Sequence, residues 1–182
     1  PTMREIFTIG HSRLPFATFL GLLSPHGIAA IVDVRTRPYS RFAPQFNKSR
    51  LEAGLKAAGL DYLYFGDRLG GLPEDDRFYD DEGYVRYDRL AASPAFQAGI
   101  ADLLEAAGRT RLVLMCAEED PDRCHRRLLI APELAARGVA VRHLRADGRA
   151  QADESGGAPL LLFPVSPAPV RRSPAPVRPR RV

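Results

Sequence analysis

The chain has 182 residues, a hydrophobic fraction of 45% and two cysteines. These values suit one domain with a core of its own plus an appendage, and they exclude a disulfide-stapled secreted module, which would carry more cysteines. No apolar run approaches the roughly 20 residues that a membrane-spanning helix needs, and no cleavable leader is recognisable, so we expect a cytoplasmic protein without a membrane partner.

The net charge of +4 is unevenly distributed. The segment 165–182 carries five arginines and no acidic residue, so residues 1–164 are nearly neutral. The high isoelectric point is therefore mainly a property of the C-terminal segment. It does not by itself make the domain a nucleic-acid binder.

Apolar patterning predicts alternating strands and helices. Residues 4–9 form a first strand, helical spacing follows at 15–24, and the apolar run 28–34 is typical of a strand buried on both faces of a parallel sheet. The next predicted elements are a helix at 48–58, a strand at 61–65, a helix at 94–107, a strand at 111–115, a helix at 123–137 and a last strand at 139–144. This alternation predicts a single three-layer α/β/α domain with a mostly parallel sheet over residues 1–145.

The periodicity ends near residue 146, and we expect 146–182 to be a disordered Pro/Arg-rich tail. Residues 159–164 form a short apolar patch that could pack on the domain or act as a partner peptide. The hexapeptide Ser166–Arg171 recurs as Ser173–Arg178, and such a repeat favours extended polyproline II rather than a core. A solvated tail is the simpler interpretation, and a weak electrostatic interaction with nucleic acid is the alternative.

Polar residues follow three of the predicted strands. Ligands of parallel sheets bind at the C-terminal ends of the strands, so these residues are candidates for a site. They are Gly10, His11 and Ser12 after the first strand, Asp33 and Arg35 with Ser40 after the second, and Cys116 and Glu118 after the strand at 111–115.

The stretch from Cys116 to Arg127 is the richest in reactive side chains. We expect Asp122 to cap the helix at 123–137, with Cys124, His125 and Arg126 in its first turn. A thiol there would have its pKa lowered by the positive helix end and by neighbouring arginines. The alternative is a buried and inert thiol.

Three chemistries could use this stretch. Thiol catalysis of the phosphatase or rhodanese kind is weakened by the three acids at 118–120, which would repel a phosphate. Metal binding by the two cysteines, His125 and His11 suits zinc in its ligand types, although the spacing matches no standard motif. Acid/base or glycosidic chemistry on a nucleotide-like substrate would use Glu118 as the base, with Arg35 and Arg126 holding phosphate.

Several motifs, in order, resemble one known family. They are Thr8-Ile-Gly-His-Ser12, Val32-Asp-Val-Arg35 with Pro38 and Ser40, Leu69-Gly-Gly71, Tyr84-Val-Arg-Tyr87, and Met115-Cys-Ala-Glu118 with Pro121 and Cys124-His-Arg126. Together they resemble the family catalogued as domain of unknown function 488, over about residues 4–145. The resemblance implies one α/β domain of bacteria and archaea and marks the same candidate positions, but it assigns no reaction.

We therefore expect an enzyme, a hydrolase or a transferase, that acts on a small phosphorylated or nucleotide-like ligand at the strand ends. The expected catalytic residues are Cys116, Glu118, His125 and His11, and the expected ligand-binding residues are Gly10, Ser12, Asp33, Arg35, Ser40, Cys124 and Arg126. Backbone N–H groups at Gly10 and at the helix start near residue 122 would approach an anion. The alternatives are a non-catalytic nucleic-acid-binding module aided by the tail, and a thiol-redox or metal-binding protein.

Overall fold

The computed structural model describes residues 5–154 and 170–177, so the apolar segment 159–164 lies outside the described residues. Six strands form one sheet in the order β3-β2-β4-β1-β5-β6. They are β1 Glu5–Gly10, β2 Ala30–Asp33, β3 Asp61–Tyr64, β4 Leu112–Cys116, β5 Ala140–Leu144 and β6 Ala150–Ala152. The first five strands pair in parallel, and β6 pairs antiparallel to β5.

Six α-helices accompany the sheet in the part of the chain that the structure describes. They are α1 Phe16–Leu23, α2 Lys48–Ala57, α3 Gly66–Leu69, α4 Tyr87–Ala91, α5 Pro94–Arg109 and α6 Ala131–Ala135. The start of α5 is specified locally, because the Ser93 side chain accepts a hydrogen bond from the Phe96 N–H and Pro94 occupies the first turn. No helix in these ranges is both long enough and apolar enough to cross a membrane.

The sheet is covered on both faces. Successive strand residues point to opposite sides, so Ile6 and Phe7 enter two different apolar clusters. Ile6 shares its cluster with Ile100 of α5, whereas Phe7 shares its cluster with Phe19 of α1 and Leu51 of α2. The predicted α/β fold with a mostly parallel sheet is confirmed.

The sheet extends beyond the predicted last strand. β6 pairs with β5 through Leu144 and Ala150, and Gly148 closes the intervening turn with a φ of 86°. The expectation of disorder from residue 146 is therefore wrong for β6. The Ala-Gln-Ala strand has only three residues, too few for apolar alternation to predict a strand from the sequence.

Residues 170–177, called the strap below, also pack on the domain. The Ser173 N–H donates to the Val85 carbonyl at 2.9 Å, and the Val85 N–H donates to the Ser173 hydroxyl oxygen at 2.9 Å. The Val177 N–H donates to the Gly83 carbonyl at 2.8 Å. The predicted solvated tail does not hold for these residues, because a partner edge at 83–86 satisfies their backbone groups.

The predicted continuous helix at 123–137 is wrong as well. A 3₁₀ turn spans Pro121–Arg123, a π-helical turn spans Arg126–Ile130, and only then does α6 begin. Pro132 lacks an N–H and crowds the preceding turn, which accounts for the interrupted α-helical ladder. The cap of the first turn is Asp120, not Asp122, because the Asp120 side chain accepts from the Asp122 N–H at 3.0 Å.

Candidate functional site

Two thiols and one imidazole nitrogen converge where β4 ends. β4 delivers Cys116, and Cys124 lies in extended conformation between the two turns, so that His125 follows it directly. The His125 Nδ1 atom lies 3.7 Å from the Sγ atoms of both cysteines, and its Nε2 atom lies 3.0 Å from the Val34 carbonyl oxygen. A carbonyl can only accept, so the neutral ring carries its proton on Nε2 and presents the Nδ1 lone pair to the thiols.

These atoms face a cavity of about 340 Å³ at the C-terminal edge of the sheet. Of the residues expected from the sequence to form a site, six line it: Arg35, Ser40, Cys116, Glu118, Cys124 and His125. Gly10, His11, Ser12, Asp33 and Arg126 do not line it. The expected residues thus divide into a cavity wall and a buried supporting layer behind it, apart from Ser12, which is exposed outside the cavity.

The two thiols hold protons unequally. The hydrogen bond to Cys124, together with burial, raises the pKa of Cys116 well above its ordinary value. Burial alone would raise the pKa of Cys124, but the hydrogen bond from Cys116, the charge of Arg126 and the adjacent His125 ring hold it well below its ordinary value. The lowering has the expected sign, and of the two expected causes the neighbouring arginine contributes, whereas Cys124 lies in extended conformation and not in the first turn of an α-helix.

Arg126 is fully buried and hydrogen-bonded to the protein itself. Its Nε atom donates to Cys124 Sγ at 3.2 Å, Nη1 donates to Thr8 Oγ1 at 2.9 Å, and Nη2 donates to the Glu118 carbonyl. The expectation that Arg126 holds a ligand phosphate is therefore wrong. Its guanidinium stabilises negative charge on Cys124 and ties the loop after β4 to β1.

Arg35 is anchored to Asp33 by two parallel hydrogen bonds, from Nε at 2.9 Å and from Nη2 at 2.7 Å. Asp33 is fully buried and also accepts from the Tyr62 hydroxyl at 2.8 Å. The Phe46 carbonyl accepts a further hydrogen bond from Arg35. Asp33 thus positions Arg35 and does not contact the cavity, and the partners Tyr62 and Phe46 were not identified from the sequence.

His11 also lies in the supporting layer. Its Nε2 atom is 3.0 Å from Arg35 Nη1 and its Nδ1 atom is 2.8 Å from the Ser12 carbonyl, so both ring nitrogens have protein partners. Burial and the Arg35 charge lower the pKa of His11 to about 4. The neutral ring stacks on Phe46 with 4.2 Å between centroids. His11 therefore supports Arg35 and is not placed to act on a ligand or to join a metal site.

Gly10 is needed for close packing of two chain segments. A Cβ atom there would collide with the Glu118 carbonyl, so β1 and the loop after β4 can touch only because Gly10 has no side chain. The next two N–H groups, of His11 and Ser12, donate to the carbonyls of Cys116 and Ala117 at 2.9 Å. The predicted anion site at these N–H groups is wrong, because the loop already occupies them.

The same holds for the other predicted backbone anion site, near residue 122. The Asp122 N–H is bonded to the Asp120 side chain and the Arg123 N–H to the Asp120 carbonyl. Ser40 also has a structural contact, since its hydroxyl oxygen accepts from the N–H groups of Phe42 and Ala43. Side chains, not these backbone groups, are left to bind a ligand.

The rim of the cavity includes residues that were not among the predicted catalytic or ligand-binding residues. Arg37 and Arg123 are exposed and line the cavity, as do Tyr39 and Leu72. A Cβ atom on Gly71 would lie 2.8 Å from the His125 ring, so this glycine leaves room for the imidazole. The Leu69-Gly-Gly71 motif was the sequence signal for this part of the site, but its spacing alone did not indicate what Gly71 does.

The strap forms one side of the cavity through its residues 173–177. Its arginines are paired with acids, Arg171 with Glu133 at 3.0 Å and Arg172 with Glu82 at 3.0 Å. The predicted solvated tail would leave these arginines exposed, and the alternative interpretation offered them to nucleic acid. In the structure they hold the strap to the domain.

Comparison with known proteins identifies a family only. The family model described as Domain of unknown function DUF488 matches residues 15–131, more than half of the chain. No curated protein and no solved structure matches the chain. The resemblance seen in the motifs is confirmed, and the family description assigns no activity.

Proposed function

Because the chain belongs to the DUF488 family, which has no assigned activity, we propose from the site itself that it is an enzyme acting on a small phosphorylated or nucleotide-like ligand in the cavity. One observation carries the proposal. The reactive atoms of Cys116, Cys124 and His125 lie together on the wall of a cavity whose rim bears two exposed arginines, Arg37 and Arg123.

The rim suits an anionic ligand with a flat apolar part. Neither Arg37 nor Arg123 forms an ion pair with any residue that the structure describes, so their guanidinium groups are free to bind phosphate. Tyr39 is 73% exposed and Leu72 is 41% exposed beside them. The volume of about 340 Å³ falls within the usual range for small-molecule sites.

The acids near the site are fewer than the sequence indicates. Glu119 turns away, because its carboxylate accepts from Arg145 Nε and Nη2 at 2.9 Å each. Asp120 caps the turn at 121–123. Of the three acids at 118–120, all within the described residues, Glu118 alone lines the cavity, so the expected repulsion of a phosphate is reduced to that of one carboxylate.

The wall supplies acid/base and nucleophilic groups. Cys116 is half-buried at the cavity, and the His125 Nδ1 lone pair is positioned to accept the proton of a thiol. Glu118 is exposed on the cavity side and would act as the general acid or base. Two free thiols at a working site need reducing conditions, so we also propose a cytoplasmic location.

Binding of nucleoside monophosphates, nucleoside diphosphates and sugar phosphates to the full chain, measured by calorimetry, tests the proposal. Loss of one arginine–phosphate interaction should weaken binding about tenfold in Arg37→Gln and in Arg123→Gln. Arg109→Gln, at the far end of α5, is the matched control and should bind as the wild type does. Failure of every compound to bind, or equal binding by all three variants, would contradict the proposal.

A second candidate function is binding of single-stranded nucleic acid. The segment 34–51 carries five basic residues and no acid. Phe42 in this segment is 61% exposed, with the guanidinium groups of Arg41 and Arg13 stacked at 4.7 and 5.1 Å from its ring centroid. Exposed aromatic rings among cations are the usual platform for unstacked bases.

Anisotropy of a labelled single-stranded oligonucleotide over a salt series tests this candidate. We expect Phe42→Ala and Arg41→Gln to weaken binding, and we expect deletion of 165–182 to leave most of it, because the strap arginines are paired. Collapse of binding on tail deletion, with no effect of the two substitutions, would assign the affinity to the tail instead.

A further inference from the structure

Three potential metal ligands lie within a small volume at the cavity wall. The Sγ atoms of Cys116 and Cys124 and a ring nitrogen of His125 all lie within 4.8 Å of one another. Zinc binds thiolate sulfur at about 2.3 Å and imidazole nitrogen at about 2.0–2.1 Å, so a tetrahedral site needs S–N separations of about 3.6 Å. Both Sγ–Nδ1 distances are 3.7 Å, close to that requirement without rearrangement.

The surroundings orient the imidazole as a ligand. The His125 Nε2–H group donates to the Val34 carbonyl, which turns the Nδ1 lone pair toward the two sulfur atoms. A metal-bound histidine commonly gives its second ring N–H to a carbonyl or carboxylate in this way. Gly71 leaves the space that this ring orientation requires.

The charge balance is also favourable. Two thiolates neutralise one divalent cation, and the Arg126 guanidinium already donates to Cys124 Sγ at 3.2 Å from the side away from the cavity lining. N–H donation to a ligating sulfur is compatible with metal binding. His11 is not a fourth ligand, because its ring nitrogens contact Ser12 and Arg35.

We propose that Cys116 Sγ, Cys124 Sγ and His125 Nδ1 bind one Zn²⁺ ion, with the fourth coordination position open to the cavity. Binding releases to solvent whatever protons the two sulfur atoms hold, chiefly that of Cys116, and changes no oxidation state. Three protein ligands with one open position are characteristic of catalytic zinc, which acidifies a bound water. The metal site itself does not depend on ligand binding at the rim, and only the role of the open position rests on the proposed function. With Zn²⁺ bound, Cys116 and His125 are metal ligands and no longer serve as nucleophile and base.

Cobalt titration of the full chain, stripped with a chelator and kept reduced, is the primary test. We expect one Co²⁺ per chain with thiolate-to-cobalt charge-transfer absorption and the intense visible bands of a tetrahedral site. Zn²⁺ should then displace Co²⁺ with the same stoichiometry. Absence of these bands from the wild-type protein would overturn the proposal, whatever the variants do.

Ligand variants give the second test. Cys116→Ser and Cys124→Ser should each weaken Zn²⁺ binding by about 100-fold or more in competition with a chromophoric chelator, since loss of even an outer partner costs 10–100-fold. His26→Gln, a histidine before β2 and away from the cavity, is the matched control and should bind as the wild type does. Equal affinity in all variants, or oxidation of both thiols to a disulfide without metal uptake, would refute the site.

The outcomes separate this inference from the proposed function. Metal uptake is measured without any substrate, so a protein that binds Zn²⁺ but no phosphorylated compound upholds the metal site and rejects the proposed function. A protein that binds nucleotides through Arg37 but takes up no Co²⁺ upholds the proposed function and rejects the metal site.

Discussion

His11 should make the stability of the protein depend on pH in a way that one substitution removes. The ring is buried, its Nε2 atom faces the Arg35 guanidinium, and its pKa falls from 6.5 to about 4. The Arg126 charge acts in the same direction, whereas Asp33 and the hydrogen bond to the Ser12 carbonyl act against it. Burial and Arg35 outweigh them, so the folded protein disfavours a protonated ring.

The sign and size of the pH effect on the free energy of unfolding follow from the linkage between proton binding and folding. The unfolded chain binds the proton near pH 6.5 and the folded chain only near pH 4, so the contribution of His11 is complete above 6.5 and is lost as pH falls toward 4. Between about pH 7.5 and pH 5 this one ring should remove about 2 kcal/mol from the free energy of unfolding.

Urea unfolding at several pH values, for the wild type and for His11→Gln, measures this effect. Glutamine keeps an acceptor near Arg35 but cannot be protonated, so its pH dependence should be shallower by about 2 kcal/mol over the same range. The ring resonances of His11, assigned by their loss in the variant, should titrate near pH 4. Equal pH dependence of the two proteins, or a midpoint near 6.5, would refute the assignment of His11 to a buried supporting layer.

Three further predictions concern packing and access. Gly10→Ala should lower the free energy of unfolding, measured with urea, by about 3 kcal/mol, because the new Cβ would collide with backbone atoms. Gly21→Ala in α1 should raise it by roughly 0.5–1 kcal/mol, because the new Cβ meets nothing within 4 Å. Similar values for the two variants would contradict this packing. Arg126→Met should raise the pKa of Cys124, seen as a shift of thiolate ultraviolet absorbance to higher pH, and an unchanged titration would show that Arg126 does not act on the sulfur. In a chain that ends before the strap, iodoacetamide should alkylate Cys116 faster, because the strap forms one side of the cavity. Mass spectrometry measures the rate of alkylation, and an unchanged rate would mean that the strap does not limit access to Cys116.

The strands that were identified from the sequence are those whose signal is local. β2 and β4 are interior strands of the sheet and are buried on both faces, so their sequences are nearly continuous apolar runs. The start of α5 was likewise visible, because Ser93 and Pro94 specify it within a few residues. β6 was missed, since its place depends on pairing with β5 and not on its own three residues.

Side-chain roles were harder to assign because they depend on distant contacts. From the sequence, Arg126 is predicted to bind phosphate at an exposed position. The structure shows instead that it donates to Thr8, which lies 118 positions away in the chain. The strap is predicted to be a solvated Pro/Arg segment, but in the structure it pairs with the edge at 83–86. In both cases the deciding atoms are remote in the chain, and no spacing rule includes them.

By itself the sequence determined the α/β class, the family and the edge of the sheet where the candidate residues gather, because apolar runs and the parallel arrangement follow from local pattern. Only the tertiary structure decided which candidates face the cavity and which stand behind it. The register that sets Gly10 beside Cys116 brings the loop after β4 onto β1, and this contact buries Arg126 and occupies the N–H groups of His11 and Ser12. The predicted residues that line the cavity are Arg35, Ser40, Cys116, Glu118, Cys124 and His125, and contacts between strands and loops that are distant in the chain fix this arrangement.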